Sequence, residues 1–322
     1  MMPYVYLVGG LFMLMFTGDL LVRGAVGIAE RFGIPAIIIG LTVVAFGTSA
    51  PELLISLKAA ADGAPGIAVG NVVGSNIANV LLVLGLPALL RTTSCEEDGT
   101  IRSALFMLAV TLVFIALCMH SPLDRLDGLV LLALLVFFVV DSIRTGLRHR
   151  ARRDKAAAEI ETIDGVEGVP RSTWVTITFL VLGLVGLPIG ASLTVDNAVI
   201  IARDWGVTDA AIGLTIVAVG TSLPELATTL MAALRRESAV AIGNVIGSNI
   251  FNILAIMGAT AVIFPIDVPP AILSFDLWAM LAATIVLLPF ALAHVPITRW
   301  IGLLLVAIYA GYTYLVFQMG AA

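Results

Sequence analysis

Two seven-residue stretches, "GTSAPEL" from Gly47 and "GTSLPEL" from Gly220, put a carboxylate, a proline and two hydroxyls inside otherwise apolar segments. Pro51 and Pro224 lack the N–H that a helix would give to the carbonyls of Gly47 and Gly220, and their rings crowd those carbonyls. Each segment is therefore expected to break or kink there. Glu52 and Glu225 follow directly. Facing lipid, each would cost about 2.5 to 3.5 kcal/mol even on the lenient insertion scale, so both must face the protein interior. Backbone freed in hydrocarbon is tolerated only where it lines a protein-buried or wet cavity. Loosened carbonyls beside a carboxylate make an oxygen-rich site. A second origin for the pattern is a capping box, with Ser49 or Ser222 as N-cap and the glutamate three residues on reaching back to the backbone. The two roles are compatible.

Further along each copy stand "GNVVGSNIAN" (Gly70 to Asn79) and "GNVIGSNIFN" (Gly243 to Asn252). Asn71, Ser75 and Asn79 follow i, i+4, i+8 and form a polar stripe on one helix face, mirrored by Asn244, Ser248 and Asn252. Gly70, Gly74, Gly243 and Gly247 have small-xxx-small spacing and read as helix packing. Ser75, Asn79, Ser248 and Asn252 read as ligands, because they repeat beside paired glutamates. The donors on offer are all oxygens: two carboxylates, the hydroxyls of Thr48, Ser49, Thr221, Ser222, Ser75 and Ser248, amide oxygens and freed carbonyls. That set suits hard cations such as Ca2+ and Na+ rather than zinc or copper. His120, His149 and His294 lie at span ends or in loops, and Cys95 and Cys118 are one in a loop and one in a span. Neither a histidine metal site nor a disulfide framework is expected, and no cofactor.

The elements that must hold these residues are membrane helices. Of 322 residues 60% are hydrophobic and 12% charged, with a mean hydropathy of +1.09, more than a water-soluble core of this size needs. Apolar stretches long enough to cross a ~30 Å hydrocarbon core number ten, near residues 4–28, 34–60, 66–90, 102–119, 126–146, 173–202, 207–233, 239–264, 271–293 and 297–318. The first lacks a cationic lead and a small-residue cleavage site, and is expected to be a retained helix. With the loop from Arg144 to Arg171 placed in the cytoplasm, 14 of the 17 Lys and Arg residues fall inside, and Lys58, Arg125 and Arg203 outside. This agrees with the positive-inside rule and with an external N-terminus.

Residues 40–85 align without a gap to residues 213–258 at a constant offset of 173, with 25 of 46 positions identical. The match fades outward, but Gly10 still falls opposite Gly183. The unit is thus half the chain: residues 1–146 and 173–322, five spans each, joined by a linker at 147–172. An odd number of spans sends the second copy into the membrane from the opposite side. The expected fold is all-α, ten transmembrane helices in two inverted five-helix repeats with breaks in the second, third, seventh and eighth. Inverted repeats are a hallmark of secondary transporters, whose sites lie at the repeat interface near the midplane.

The paired "GTSxPE" and "GNxxGSN" segments resemble the alpha-repeats of the calcium/cation antiporter superfamily, in its prokaryotic sodium/calcium exchanger branch. The resemblance implies a core of the second, third, seventh and eighth helices around four cation sites, with the long first and sixth helices sliding across it to alternate access. It also implies that Glu52 and Glu225 bind Ca2+ jointly and take part in Na+ sites, with carbonyls of Thr48 and Thr221 completing the Ca2+ shell. The carbonyls of Ala45 and Ala218, with Ser49, Ser222, Ser75 and Ser248, would line flanking Na+ sites, and Asn79 and Asn252 would sit in the middle. Potassium-dependent exchangers carry Asp where this chain has Asn252, so K+ is not expected to be co-transported. Two glutamates neutralise one Ca2+ or two Na+, and competition for the shared pair would itself couple the two fluxes.

Other readings are a proton/calcium exchanger using the same glutamates, an intramembrane enzyme using Ser49 or Ser222, and a channel. The enzyme lacks a histidine or lysine base beside either serine. A channel fits poorly with an inverted repeat and two fixed carboxylates. Asp19 and Arg23, four apart with the acid first, are expected to pair on the first helix. Asp141, Asp196, Asn197 and Asp276 are expected to be interfacial polar groups, and "EED" at Glu96 a solvated loop. Expected partners are Na+, Ca2+ and the lipid of the plasma (inner) membrane, with no nucleic acid.

Overall fold

The computed structural model describes residues 2–97, 99–157, 172–206 and 218–321. Its helices, in chain order, are α1 (Met2–Phe32), α2 (Ala36–Thr48), α3 (Ala50–Ala61), α4 (Pro65–Leu90), α5 (Thr100–Cys118), α6 (Arg125–Ala157), α7 (Thr173–Asp204), α8 (Ala218–Thr221), α9 (Leu223–Leu234), α10 (Ser238–Ile263), α11 (Ile272–Leu292) and α12 (Arg299–Ala321). Among the described residues, eight are long and apolar enough to cross a membrane, and α2 with α3 makes a ninth span bent by 43°. Helices α8 and α9 stand where the seventh span is expected, residues 207–217 of that span and 158–171 of the linker lying outside the described residues.

The bend falls where Pro51 and its missing N–H require it. The third and eighth spans, expected to break, instead run on as α4 and α10. Each contains a π-helical segment, Asn79–Val83 in one and Asn252–Met257 in the other. These segments carry no proline; a wider turn frees backbone groups without stopping the helix. The fifth span, expected to end near 146, continues as α6 to Ala157, because "LRHRARRDKAA" has no glycine or proline to end a helix and is rich in good helix formers.

Helices α4 and α10 are the centre of the molecule: 78% of the apolar stretch of each is buried, against 11% in α12. Large apolar side chains such as Phe12, Phe16, Leu54 and Leu126 are exposed instead, and Trp174, Trp205 and Trp300 stand exposed at helix ends. Apolar residues outside and tryptophans at helix ends are the surface of a multi-pass membrane protein.

Helices α1 and α7 lie against each other along their length, and glycines make this possible. A Cβ on Gly186 would stand 2.3 Å from Thr17 Cγ2, one on Gly183 2.5 Å from Leu21 Cβ, and one on Gly24 2.7 Å from the Leu180 backbone nitrogen. Residue numbers rise along α1 as they fall along α7, so these two equivalent helices are antiparallel. That is the inversion the five-span repeat predicts. The same symmetry joins the loops: Thr93 exchanges backbone hydrogen bonds with Ile297 (3.1 and 2.9 Å), and Leu123 with Ile266 (2.9 and 3.0 Å). Gly63, at φ 78°, ends α3 in a left-handed turn; its counterpart after α9 is Arg236, held at φ 66° without glycine's freedom.

Polar groups between helices find specific partners. Asp19 lies 3.7 Å from Arg23 as expected, but its closer contact is Arg235, just past α9. Arg23 also lies 4.9 Å over the Phe179 ring on α7. Asp141 pairs with Arg102, Asp276 accepts the Tyr312 hydroxyl at 2.8 Å, and Asn197 Nδ2 donates to the Leu193 carbonyl of its own helix at 2.8 Å.

Candidate cation site

Prolines in the first turns of α3 and α9 place Glu52 and Glu225 at helix N-termini, where the partial positive charge of the helix end favours a carboxylate. Both are 1% exposed. Ser49 and Ser222 occupy the N-cap positions, yet neither hydroxyl caps its helix. The capping box does not form, because the backbone N–H groups the glutamates would reach are taken: Ser49 N donates to the Ala45 carbonyl (3.0 Å) and Ser222 N to that of Val219 (3.1 Å). The Ser49 hydroxyl instead donates across the repeat interface to Glu225 Oε1 at 3.1 Å.

Several of the expected residues meet in hydrogen-bond contact nearby. Thr48 Oγ1 lies 3.2 Å from Asn244 Oδ1, 3.3 Å from the Ala45 carbonyl and 3.4 Å from Ser248 Oγ. The Ala45 carbonyl is thus approached by two donors. Ser75 is buried on α4 one turn before Asn79, and Thr221 and Ala218 are the ends of α8. Asn71 and Asn244 seat the glutamates from behind. Asn71 Nδ2 donates to the Glu52 carbonyl (3.2 Å) and Ser56 Oγ (3.0 Å), and Asn244 Nδ2 to the Glu225 carbonyl (3.3 Å) and Thr229 Oγ1 (3.0 Å).

What the site leaves unsatisfied is the most informative feature. Buried oxygens without a hydrogen-bond partner include both of Glu52, Oε2 of Glu225, Oδ1 of Asn79 and of Asn252, and the hydroxyl of Ser222. Each orphaned buried acceptor costs about 1 to 3 kcal/mol, more for a charged group. Both carboxylates thus keep buried oxygens that no protein group satisfies, an arrangement that a cation could complete. Among the described residues no three His, Cys, Asp or Glu side chains cluster. A separate cavity of about 750 Å³ opens between α2, α5 and α6, past Arg102, Phe138, Asp141 and His149, and includes none of these oxygens.

Two asparagines that the motif reading passed over also belong here: Asn76 and Asn249, 2% and 1% exposed. Each ends a repeated "GSN", and that repetition was the signal available.

The model of the family described as sodium/calcium exchanger protein matches residues 2–144 and 175–318. The chain belongs to this family. Among its relatives, a putative antiporter CaxA from Alkalimonas amylolytica is 40% identical over 98% of both chains. The sodium/calcium exchanger MaX1 of Methanosarcina acetivorans is 34% identical over 98% of this chain and 99% of its own. The solved structure of the sodium-calcium exchanger NCX_Mj, soaked with Na+ and Ca2+, superposes with a TM-score of 0.81 at 31% identity, covering 96% of this chain and 97% of that one. These neighbours are exchangers and not enzymes, so the paired serines belong to an antiporter framework. The sodium/calcium exchanger family member described here carries that framework's ten-helix, inverted-repeat architecture.

Proposed function

We propose that this antiporter exchanges Na+ for Ca2+ across the plasma membrane by alternating access, without K+. The observation that carries the reading is the pair of buried glutamates at helix N-termini, three of whose four carboxylate oxygens have no hydrogen-bond partner. In this reading Glu52 and Glu225 hold Ca2+ jointly, with carbonyls of Thr48 and Thr221. Carbonyls of Ala45 and Ala218 with Ser49, Ser222, Ser75 and Ser248 serve Na+, and Asn79 and Asn252 stand between. Two negative charges balance one Ca2+ or two Na+, so the ions exclude one another and exchange needs no further coupling device. A neutral amide at Asn252 removes the carboxylate that a K+-coupled cycle would use. Residues 1–146 and 173–322 act as the two repeats, the linker at 147–172 is cytoplasmic, and the N-terminus is outside, as the distribution of Lys and Arg supports.

The test is Ca2+ uptake into proteoliposomes loaded with Na+, with choline, K+ and proton gradients as controls. Uptake that requires the Na+ gradient and ignores K+ is expected. Uptake driven by a proton gradient alone would move the chain to the proton/calcium branch, and no flux under any gradient would end the transport reading.

A further inference from the structure

Four buried asparagines form a two-fold network between α4 and α10. Asn252 Nδ2 donates to Asn76 Oδ1 at 3.0 Å, and Asn79 Nδ2 donates to Asn249 Oδ1 at 3.1 Å. With the repeat offset of 173 these are the same bond made twice. The outer asparagines are held in turn. Asn76 Nδ2 points at the Asn249 backbone carbonyl (3.2 Å) and Met280 Sδ (3.7 Å), and Asn249 Nδ2 at Met107 Sδ (3.5 Å). Met107 and Met280 are again 173 apart.

The direction of every amide follows from these ends. A backbone carbonyl and a thioether sulfur accept hydrogen bonds and never donate them. Asn76 and Asn249 must therefore turn their NH2 groups toward them and their Oδ1 atoms toward Asn252 and Asn79. Those oxygens accept only, so the inner asparagines must present NH2 to them. What remains of Asn79 and Asn252 is Oδ1, and both Oδ1 atoms are buried without a partner. Rotated the other way, each inner amide would offer a cation two N–H groups instead of an oxygen.

We propose that Asn76 and Asn249 are positioning residues for cation binding: each orients one inner asparagine, Asn252 and Asn79 respectively, so that its oxygen is given to the ions. This rests on the reading of the site as a cation site and adds to it a pair of residues that touch no ion. It also makes the middle of the site selective for an amide, since the Asn76 oxygen facing position 252 needs a donor there.

The experiment measures apparent KM and maximal rate for Na+-driven Ca2+ uptake in proteoliposomes, using Asn76→Leu, Asn252→Ala and the double variant, with Glu52→Gln alongside. Leucine keeps volume and removes the acceptor. Asn76→Leu is expected to raise KM about tenfold, the upper end of the scale of one hydrogen bond between neutral groups, with a smaller change in maximal rate. In the Asn252→Ala background it should add almost nothing, because it acts through that amide. A general packing role would lower the rate or the folded yield equally in both backgrounds. Asn249→Leu should couple to Asn79→Ala and not to Asn252→Ala, and it carries the same test if Asn76→Leu does not fold. An unchanged KM in folded Asn76→Leu, or its full effect persisting in the Asn252→Ala background, overturns the proposal. Exchange that survives Glu52→Gln overturns the cation site itself, which is a separate outcome.

Discussion

Replacing Glu52 by Gln keeps the shape of the side chain and removes one of two charges, and the structure sets the size of the effect. Both Glu52 oxygens are buried and free of protein donors, so in this reading their interaction with an ion is undiluted. A carboxylate and Ca2+ at about 2.4 Å attract by about 14 kcal/mol at an effective dielectric constant of about 20. If the amide dipole and nearby backbone recover half of this, about 7 kcal/mol is still lost, which at 1.4 kcal/mol per decade is about 10⁵ in affinity. The variant keeps a single negative charge, enough to balance one Na+ but leaving Ca2+ with a buried excess of +1. Calorimetric titration of purified protein should therefore show no Ca2+ binding at millimolar concentration. ⁴⁵Ca2+ uptake should fall to that of empty liposomes, and Glu225→Gln should behave alike. A Glu52→Gln protein that exchanges Ca2+ with a KM within tenfold of the parent would refute the shared-carboxylate reasoning.

Three further outcomes are expected. Gly24→Ala pushes a methyl group to within 2.7 Å of the Leu180 backbone, and overpacking of about 1 to 3 kcal/mol should lower the thermal midpoint and the turnover together, both measured on the purified protein. Asn252→Asp places an acceptor against Asn76 Oδ1 unless the introduced carboxyl carries a proton, so exchange by this variant should fall as pH rises, a limb that the parent should lack. Glu237, between α9 and α10, has its pKa raised by burial, with the charges of Glu30 and Glu97 adding to the shift and Arg235 opposing it. A carboxyl whose folded pKa is raised is favoured protonated, so its contribution is present at low pH and lost as pH rises past the ordinary glutamate range. Glu237→Gln should remove that part of the loss, seen as a flatter midpoint-against-pH curve in thermal unfolding.

The repeat, the spans and the burial of the two glutamates were legible because their causes are local. A glutamate three residues after a serine in an apolar stretch has few places to go, and a duplication at constant offset marks both copies at once. Less legible was whatever depends on a partner far along the chain. The spacing of Ser49 and Glu52 satisfies a capping box, but only the folded chain brings Glu225 to the Ser49 hydroxyl. Asp19 and Arg23 satisfy a helical pair, yet Arg235 arrives from 216 residues away. Asn76 and Asn249 fall off the i, i+4, i+8 stripe, so periodicity set them aside, although their hydrogen bonds orient two members of that stripe. Prolines predicted a break in the second span correctly. In the third and eighth, asparagines at the start of π-helical segments mark a gentler device that proline counting does not see.

The cross-connections between the halves are reciprocal. Thr93 to Ile297 is answered by Leu123 to Ile266, and Asn79 to Asn249 by Asn252 to Asn76. In each case one half gives what it takes, to within one residue of the repeat offset. Reciprocity of this kind is the mark of a two-fold homodimer, in which every contact occurs twice. The two halves meet as two copies of one chain would. The copies are not identical: where one half has Asp19 and the other Arg235, the equivalent positions are Ser192 and Asp62, which form no ion pair. The two membrane faces therefore differ, and a transporter with unlike faces need not favour its two orientations equally.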